Sequence, residues 1–169
     1  IPLSYAWNYA VCVDCFVLPR SCLPNPYYAH PLRRTVIHFH CMALRYCEAG
    51  LLLGPSVMGR VVSGTTNATT GRAFVEVMER LWRRRWGSPF VLWIDLAGQV
   101  DSDEVLAWAQ EHRVEIVAVA RDDHSAHGLA ERGGFTLKVG CYRVLREFPD
   151  ADPAVVVEEM VSSKNSHPS

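Results

Sequence analysis

Two carboxylates stand where a divalent cation could be held. Asp95 ends an unbroken apolar run, Phe-Val-Leu-Trp-Ile at residues 90–94, and Glu131 lies 36 positions further on (131 − 95). Such a run suits a strand covered on both faces, and sites in α/β sheets gather at the carboxyl ends of strands. A helix beside that strand end would carry Glu131 toward Asp95. Carboxylates are hard oxygen donors that suit Mg²⁺ or Mn²⁺. Two such ions about 4 Å apart can activate a water or hydroxyl and stabilise the leaving oxygen of a phosphodiester. With 18 Asp and Glu in the chain, spacing alone is unspecific, so the surrounding elements must carry the argument.

Those elements read as α/β. Residues 35–44 suit a buried strand, 51–53 a second that runs into Gly54-Pro55, and 60–63 a third. Polar residues 65–70 offer several N-caps. Phe74, Val77, Met78, Leu81 and Trp82 then recur at helical spacing over 71–86, and Gly87 and Pro89 end that helix. Strand 90–94 follows, then a capping-box-like Asp101-Ser102-Asp103-Glu104 with a helix to about His112. Residues 114–120 are the next buried strand. A long helix over 127–146, weakened by Gly133, Gly134 and Gly140, precedes a turn at 148–153 and a last helix over 154–162. The expected sheet is mixed and five-stranded: a three-strand antiparallel meander plus two parallel strands, with helices on both faces.

The neighbours of the two carboxylates resemble the catalytic core of retroviral and retrotransposon integrases, a ribonuclease-H-like domain. Trp93-Ile94-Asp95-Leu96-Ala97-Gly98-Gln99-Val100-Asp101-Ser102 is similar to the family's second-aspartate segment. Glu111-His112-Arg113-Val114-Glu115-Ile116 resembles its "EHGI" stretch. His127-Gly128-Leu129-Ala130-Glu131-Arg132, with Thr136-Leu137-Lys138, resembles its "NGxxERxxxxL" helix. Cys12-Val13-Asp14-Cys15 and the Pro-rich stretch after it resemble half of the family's zinc module. The resemblance thus implies a zinc-module remnant and linker over 1–32 and a core-like domain over 33–169. It implies Asp95 and Glu131 as metal ligands, Lys138 and Arg132 on DNA, Mg²⁺ or Mn²⁺ as cofactor, and a homo-oligomer acting in DNA integration inside the cell, in nucleus or cytoplasm.

One departure bears on activity. The family's first Asp is expected in the first core strand, and within 35–44 that position holds His40 (95 − 40 = 55). Neutral imidazole suits zinc better than Mg²⁺, so the resemblance implies weak or lost metal binding and impaired strand transfer. A non-catalytic remnant that binds nucleic acid or dimerises is the second reading. A third is a different ribonuclease-H-like nuclease, which needs another first carboxylate near Asp95, such as Asp14 or Glu48. Leu96-Ala97 and Val100 also depart from the family's turn, Ser56 stands where its second strand often has Asp, and Gly133-Gly134 soften the helix that carries Glu131.

Several features have plainer readings. His40 also suits a hydrogen-bonded core histidine. Cys12 and Cys15 form half of a tetrahedral zinc site or two free thiols. The run Arg80-Leu81-Trp82-Arg83-Arg84-Arg85-Trp86 suits phosphates and stacked bases, or simply a basic helix end favoured by the dipole. At 169 residues, 49% hydrophobic and 21% charged, the chain fits one folded domain. A net charge of −1 leaves room only for local basic patches. No apolar run approaches the roughly 20 residues of a membrane span. Six irregularly spaced cysteines suggest a reducing compartment. The start, Ile1-Pro2-Leu3-Ser4-Tyr5, does not read as a signal peptide, and the chain is expected to be a piece of a longer polyprotein or a trimmed gene product.

Overall fold

The computed structural model describes residues 6–52, 67–95, 102–119 and 124–167. Its centre is a strand that the composition of the first 32 residues concealed. Strand β1, Ala10–Val17, has the sequence Ala-Val-Cys-Val-Asp-Cys-Phe-Val. Valine, cysteine and phenylalanine suit a pleated, covered surface, and the period of two sends Val11, Val13 and Cys15 to one face and Cys12, Asp14 and Phe16 to the other. Strand β2, Thr35–Cys41, is buried along its whole length and pairs antiparallel with β1. Strand β3, Cys47–Leu51, pairs antiparallel with β2. Strand β4, Val91–Asp95, runs parallel to β1, and β5, Glu115–Val119, parallel to β4. The order is β3-β2-β1-β4-β5.

This is the expected mixed sheet, with a three-strand antiparallel part and two further parallel strands. Its members differ from expectation. The antiparallel part begins with β1, so strand 35–44 is second rather than first. The expected boundary near residue 33 falls between two strands that are hydrogen-bonded to each other. The tyrosines and prolines after β1 form short 3₁₀ turns, Arg20–Cys22, Pro26–Ala29 and Pro31–Arg34, with Asn25 accepting from the Tyr27 amide and His30 from that of Leu32. The expected strand at 60–63 lies outside the described residues.

Helices cover both faces. Helix α1, Asn67–Met78, runs through a π-turn, Glu79–Arg83, into a last turn α2, Arg84–Trp86. Gly87 stops it at φ 80°, a left-handed angle that glycine takes without strain. Helix α3, Asp103–Glu111, is capped by Ser102, whose hydroxyl accepts from the Val105 amide, as the capping box implied. Helix α4 spans His124–Glu147 and α5 Pro153–Ser166, the latter capped by Asp152 with Pro153 at its first position.

One core lies between the sheet and α1 with α3. It joins Val11, Val13, Ile37, Phe39, Leu92 and Ile94 to Phe74, Val77, Met78 and Trp108 around the fully buried Trp82. The other lies between the sheet and α4 with α5, joining Phe16, Val36, Ala49 and Leu51 to Leu137, Cys141, Leu145, Val157 and Val161. Each fully buried side chain of this size contributes about 1.5–3 kcal/mol. The two layers therefore hold the strand ends, and α4 above them, in fixed register.

Candidate functional site

The register of β1 on β4 brings two aspartates level. Ala10 faces Val91 and Val13 faces Ile94, a constant offset of 81 (91 − 10), so the next step sets Asp14 beside Asp95 (14 + 81 = 95). Adjacent strands are about 4.8 Å apart. Asp95 is the last residue of its strand, as the apolar run before it implied. Asp14 is part-exposed, with 35% of its side chain open to solvent, and its Oδ2 lies 3.9 Å from Nε2 of His38. Its Oδ1 accepts from the Cys15 amide at 2.7 Å.

Glu131 is solvent-exposed on α4. Its negative charge is felt at the buried Cys12 thiol. That thiol is pushed up to about 12, by burial first and then by the negative charges of Asp14 and Glu131. Cys12 and Asp14 share the sheet face that α4 covers. Both carboxylates thus bear on one thiol, and β1 carries Asp14 to the end of the sheet where Asp95 stands.

His40 lies in the arrangement that its core-histidine reading implied. It lies on β2, opposite Cys12, with β1 between it and β4. It is buried, and its Nε2 sits 2.9 Å from Nδ1 of His38. Burial pushes His40 down to about 2, helped by His38 and Lys164, and pushes His38 down to about 4, helped by Lys164. Both rings are neutral near pH 7, which fits the core-histidine reading. The residue level with Asp95 on the neighbouring strand is Asp14, and His40 does not occupy that place.

Gly133 and Gly134 explain how α4 approaches so closely. A Cβ on Gly133 would lie 2.4 Å from Cε1 of His40, and one on Gly134 would lie 2.6 Å from Cε1 of His38. The two glycines leave room for the two imidazoles, so they are packing partners of the histidines and not merely a soft stretch of helix.

Glu48, the other substitute carboxylate considered, is ruled out by topology. It sits on the edge strand β3, bonded to Tyr46 at 2.6 Å and paired with Arg85 at 3.3 Å. It faces Phe39 in the register, on the side of the sheet away from Asp14.

Cys12 and Cys15 do not form a half-site. They are three residues apart in a strand, so their side chains leave opposite faces. Cys15 packs toward the α1 side, whereas Cys12 faces α4. A Cys-x2-Cys zinc ligand pair needs a turn, which this segment is not. All six cysteines are unbridged. Among the described residues, no group of three or more His, Cys, Asp or Glu is arranged to hold a metal; the side chain of Asp95 is not among those described.

On α4, Arg132 is exposed with Nε bonded to the Gly128 carbonyl at 2.9 Å, and Lys138 holds its ammonium 5.6 Å from the Tyr142 ring. The basic run at 80–86 is divided. Trp82 is core, donating to Asn8 Oδ1 at 2.8 Å. Arg83 pairs with Glu79 and Arg85 with Glu48, so most of that run is used in holding the fold. Asp14, named in the sequence only as a substitute first carboxylate of a different nuclease, is a lone acid in an otherwise apolar alternation.

No family profile matches the chain, and no curated protein matches it in sequence. Solved structures do match. A chain of the simian T-cell lymphotropic virus intasome in complex with PP2A regulatory subunit B56 gamma aligns at TM-score 0.68 and 12% identity, over 98% of this chain and 50% of that one. The HTLV-2 integrase catalytic core domain in complex with magnesium aligns in its dimeric form at TM-score 0.62 and 12% identity, over 96% of this chain and 89% of that one. Its trimeric form aligns at 0.60 and 13%, over 94% and 85%. This chain therefore has the fold of a retroviral integrase catalytic core, and it spans half the length of the intasome chain. No helix among the described residues is long and apolar enough to cross a membrane.

Proposed function

We propose that this chain is the integrase-like core of a retroelement polyprotein, and that Asp14, Asp95 and Glu131 together form its divalent-metal site. The observation that carries the reading is the parallel register of β1 on β4, which sets Asp14 level with Asp95 at the end of the sheet. The donor set fits the ion: three carboxylates offer hard oxygens to Mg²⁺ or Mn²⁺. Asp14 keeps 35% of its side chain exposed to solvent, and Glu131 is exposed on α4. A bound ion there would polarise a phosphodiester and activate the attacking oxygen. Asp14 and Glu131 hold the charge that attracts it, Arg132 and Lys138 bind the phosphates of a DNA strand, and the buried histidines brace β2 beneath α4. On this reading the first carboxylate is retained, and His40 is no sign of lost catalysis. Assembly as a dimer or higher oligomer in DNA integration, inside the cell, belongs to the same proposal.

The remnant reading, in which only binding or dimerisation survives, draws on one observation: the described residues contain no ready-made metal cluster. The experiment that separates the two is a titration with Mg²⁺ and Mn²⁺, following thermal stability and cleavage of a short DNA duplex. An ion that binds the native state raises the melting midpoint. The proposal requires a metal-dependent rise and cleavage that Asp14→Asn and Asp95→Asn each abolish. If the unsubstituted protein shows neither response, the remnant reading stands instead.

A further inference from the structure

On one side β1 has Asp95 level with Asp14; on its other side it has a histidine. In the antiparallel register Asp14 faces His38, and Cys12 faces His40. His38 and His40 are two positions apart on β2, so both rings stand on the α4 face of the sheet together with Asp14. The three groups form a row. Nε2 of His40 lies 2.9 Å from Nδ1 of His38, and Nε2 of His38 lies 3.9 Å from Oδ2 of Asp14.

The row is packed in place. Phe16 lies against the His38 ring, with centroids 5.7 Å apart. The two glycines of α4 close over the rings: a Cβ on Gly134 would lie 2.7 Å from Nε2 of His38, and one on Gly133 would lie 2.8 Å from Nδ1 of His40. His38 is 1% and His40 3% exposed. Neither ring therefore has bulk water to exchange protons with freely, and the orientation of each is set by its neighbours.

Hydrogen-bond chemistry gives the row a direction. A charge on either ring at this depth is costly, so each neutral ring carries one N–H. An ionised carboxylate only accepts. His38 thus keeps its proton on Nε2, toward Asp14, and presents a bare Nδ1 to His40, which donates into it from its own Nε2. We infer that His38 is a positioning residue for Asp14, that its Nε2–H restrains the carboxylate, and that His40 holds His38 in the tautomer this requires. At 3.9 Å the contact is longer than a hydrogen bond; it acts as an N–H dipole aimed at a charged oxygen in a place of low dielectric. The Cys15 amide bonds Oδ1 at 2.7 Å, so the two contacts address different oxygens and together resist rotation of the group. Partners of this kind, which orient a metal-ligating side chain, are worth about 10–100-fold in metal affinity. That Asp14 holds a metal rests on the proposed function; the direction of the row rests on the geometry.

The first test needs no metal. Nitrogen NMR separates the protonated and bare nitrogens of each imidazole. Expected near neutral pH are Nε2–H tautomers for both His38 and His40, with the preference at His38 lost in Asp14→Ala. An Nδ1–H or a charged His38, or a preference that survives Asp14→Ala, overturns the inference. The second test is Mn²⁺ affinity by calorimetry. His38→Leu should weaken binding by about 10–100-fold, whereas His38→Gln, whose amide carries an N–H near the place of Nε2, should keep most of it. Trp82→Phe, which loosens the core on the opposite sheet face, should leave the affinity unchanged. Equal losses in His38→Leu and His38→Gln, no loss in either, or a like loss in Trp82→Phe would remove the positioning role. If His38→Leu does not fold, or if the parent binds no Mn²⁺, the metal-free spectra decide the inference alone. The latter result would also sink the proposed metal site.

Discussion

Nδ1 of His38 and Nε2 of His40 lie 2.9 Å apart inside the sheet–helix interface, so one of these nitrogens donates and the other accepts. A proton on both would set two donors and two charges face to face in a buried place. The unfolded chain takes up these protons near 6.5, whereas the folded chain holds His38 down to about 4 and His40 to about 2. The folded state therefore binds fewer protons below pH 6.5. Stability is fully present above that value and falls as the pH drops toward 4. We expect urea denaturation to show a loss of a few kcal/mol between about pH 7 and pH 4.5. His38→Gln should flatten the slope. An unchanged midpoint across that interval would refute the buried neutral pair.

Gly133→Ala gains about 1 kcal/mol of helix propensity on an exposed surface. Here the added methyl meets His40 at 2.4 Å, and overpacking of this kind costs about 1–3 kcal/mol. The net expectation is a lower melting midpoint for Gly133→Ala and for Gly134→Ala. His40→Ala should partly rescue Gly133→Ala, because it removes the ring that the methyl strikes. A Gly133→Ala protein that melts higher than the parent would count against this packing.

Restoring a carboxylate at His40 is expected to harm. His40→Asp would place an acid in a buried position beside His38, at a desolvation cost of several kcal/mol unless it stays protonated. The prediction is a destabilised protein with no gain in metal-dependent shift over the parent. A stronger Mg²⁺ response in His40→Asp would return the first-carboxylate role to that position.

Thiol labelling reads the strand parity of β1. Cys15 is part-exposed, whereas Cys12, Cys22, Cys41, Cys47 and Cys141 are buried, and burial pushes the Cys12, Cys47 and Cys141 thiols up. The thiolate is the reactive form. One fast-reacting thiol is expected in the native protein, abolished by Cys15→Ser, with the others reacting only on unfolding. Two fast thiols at Cys12 and Cys15 would mean that the segment is not a buried strand.

Trp82→Phe removes the donor to Asn8 Oδ1 and leaves a void in the larger core. A loss of roughly 1–3 kcal/mol is expected, readable as a lower denaturation midpoint. Trp86→Phe, at the rim, should cost less.

Much of the later half of the chain was legible without coordinates. The apolar run before Asp95, the Ser102 cap, the helical spacing around Trp82 and the Glu131 helix are local patterns, and local patterns are set by backbone periodicity and capping chemistry. The first half was harder to read. Cysteines, tyrosines and prolines crowd the region around β1, so its eight-residue alternation resembled half a zinc module, and Asp14 entered only as a substitute first carboxylate beside Glu48.

The sequence by itself determined the α/β class, the carboxylate at the end of β4 and a second carboxylate on a helix, because each follows from neighbours a few positions away. The tertiary structure alone decided which strand lies beside β4. Register between residues 81 positions apart is settled by the covering of both sheet faces at once, and no local pattern encodes it. The same long-range packing decided between the two readings of His40, making it a buried partner of His38, and gave Gly133 and Gly134 their reason.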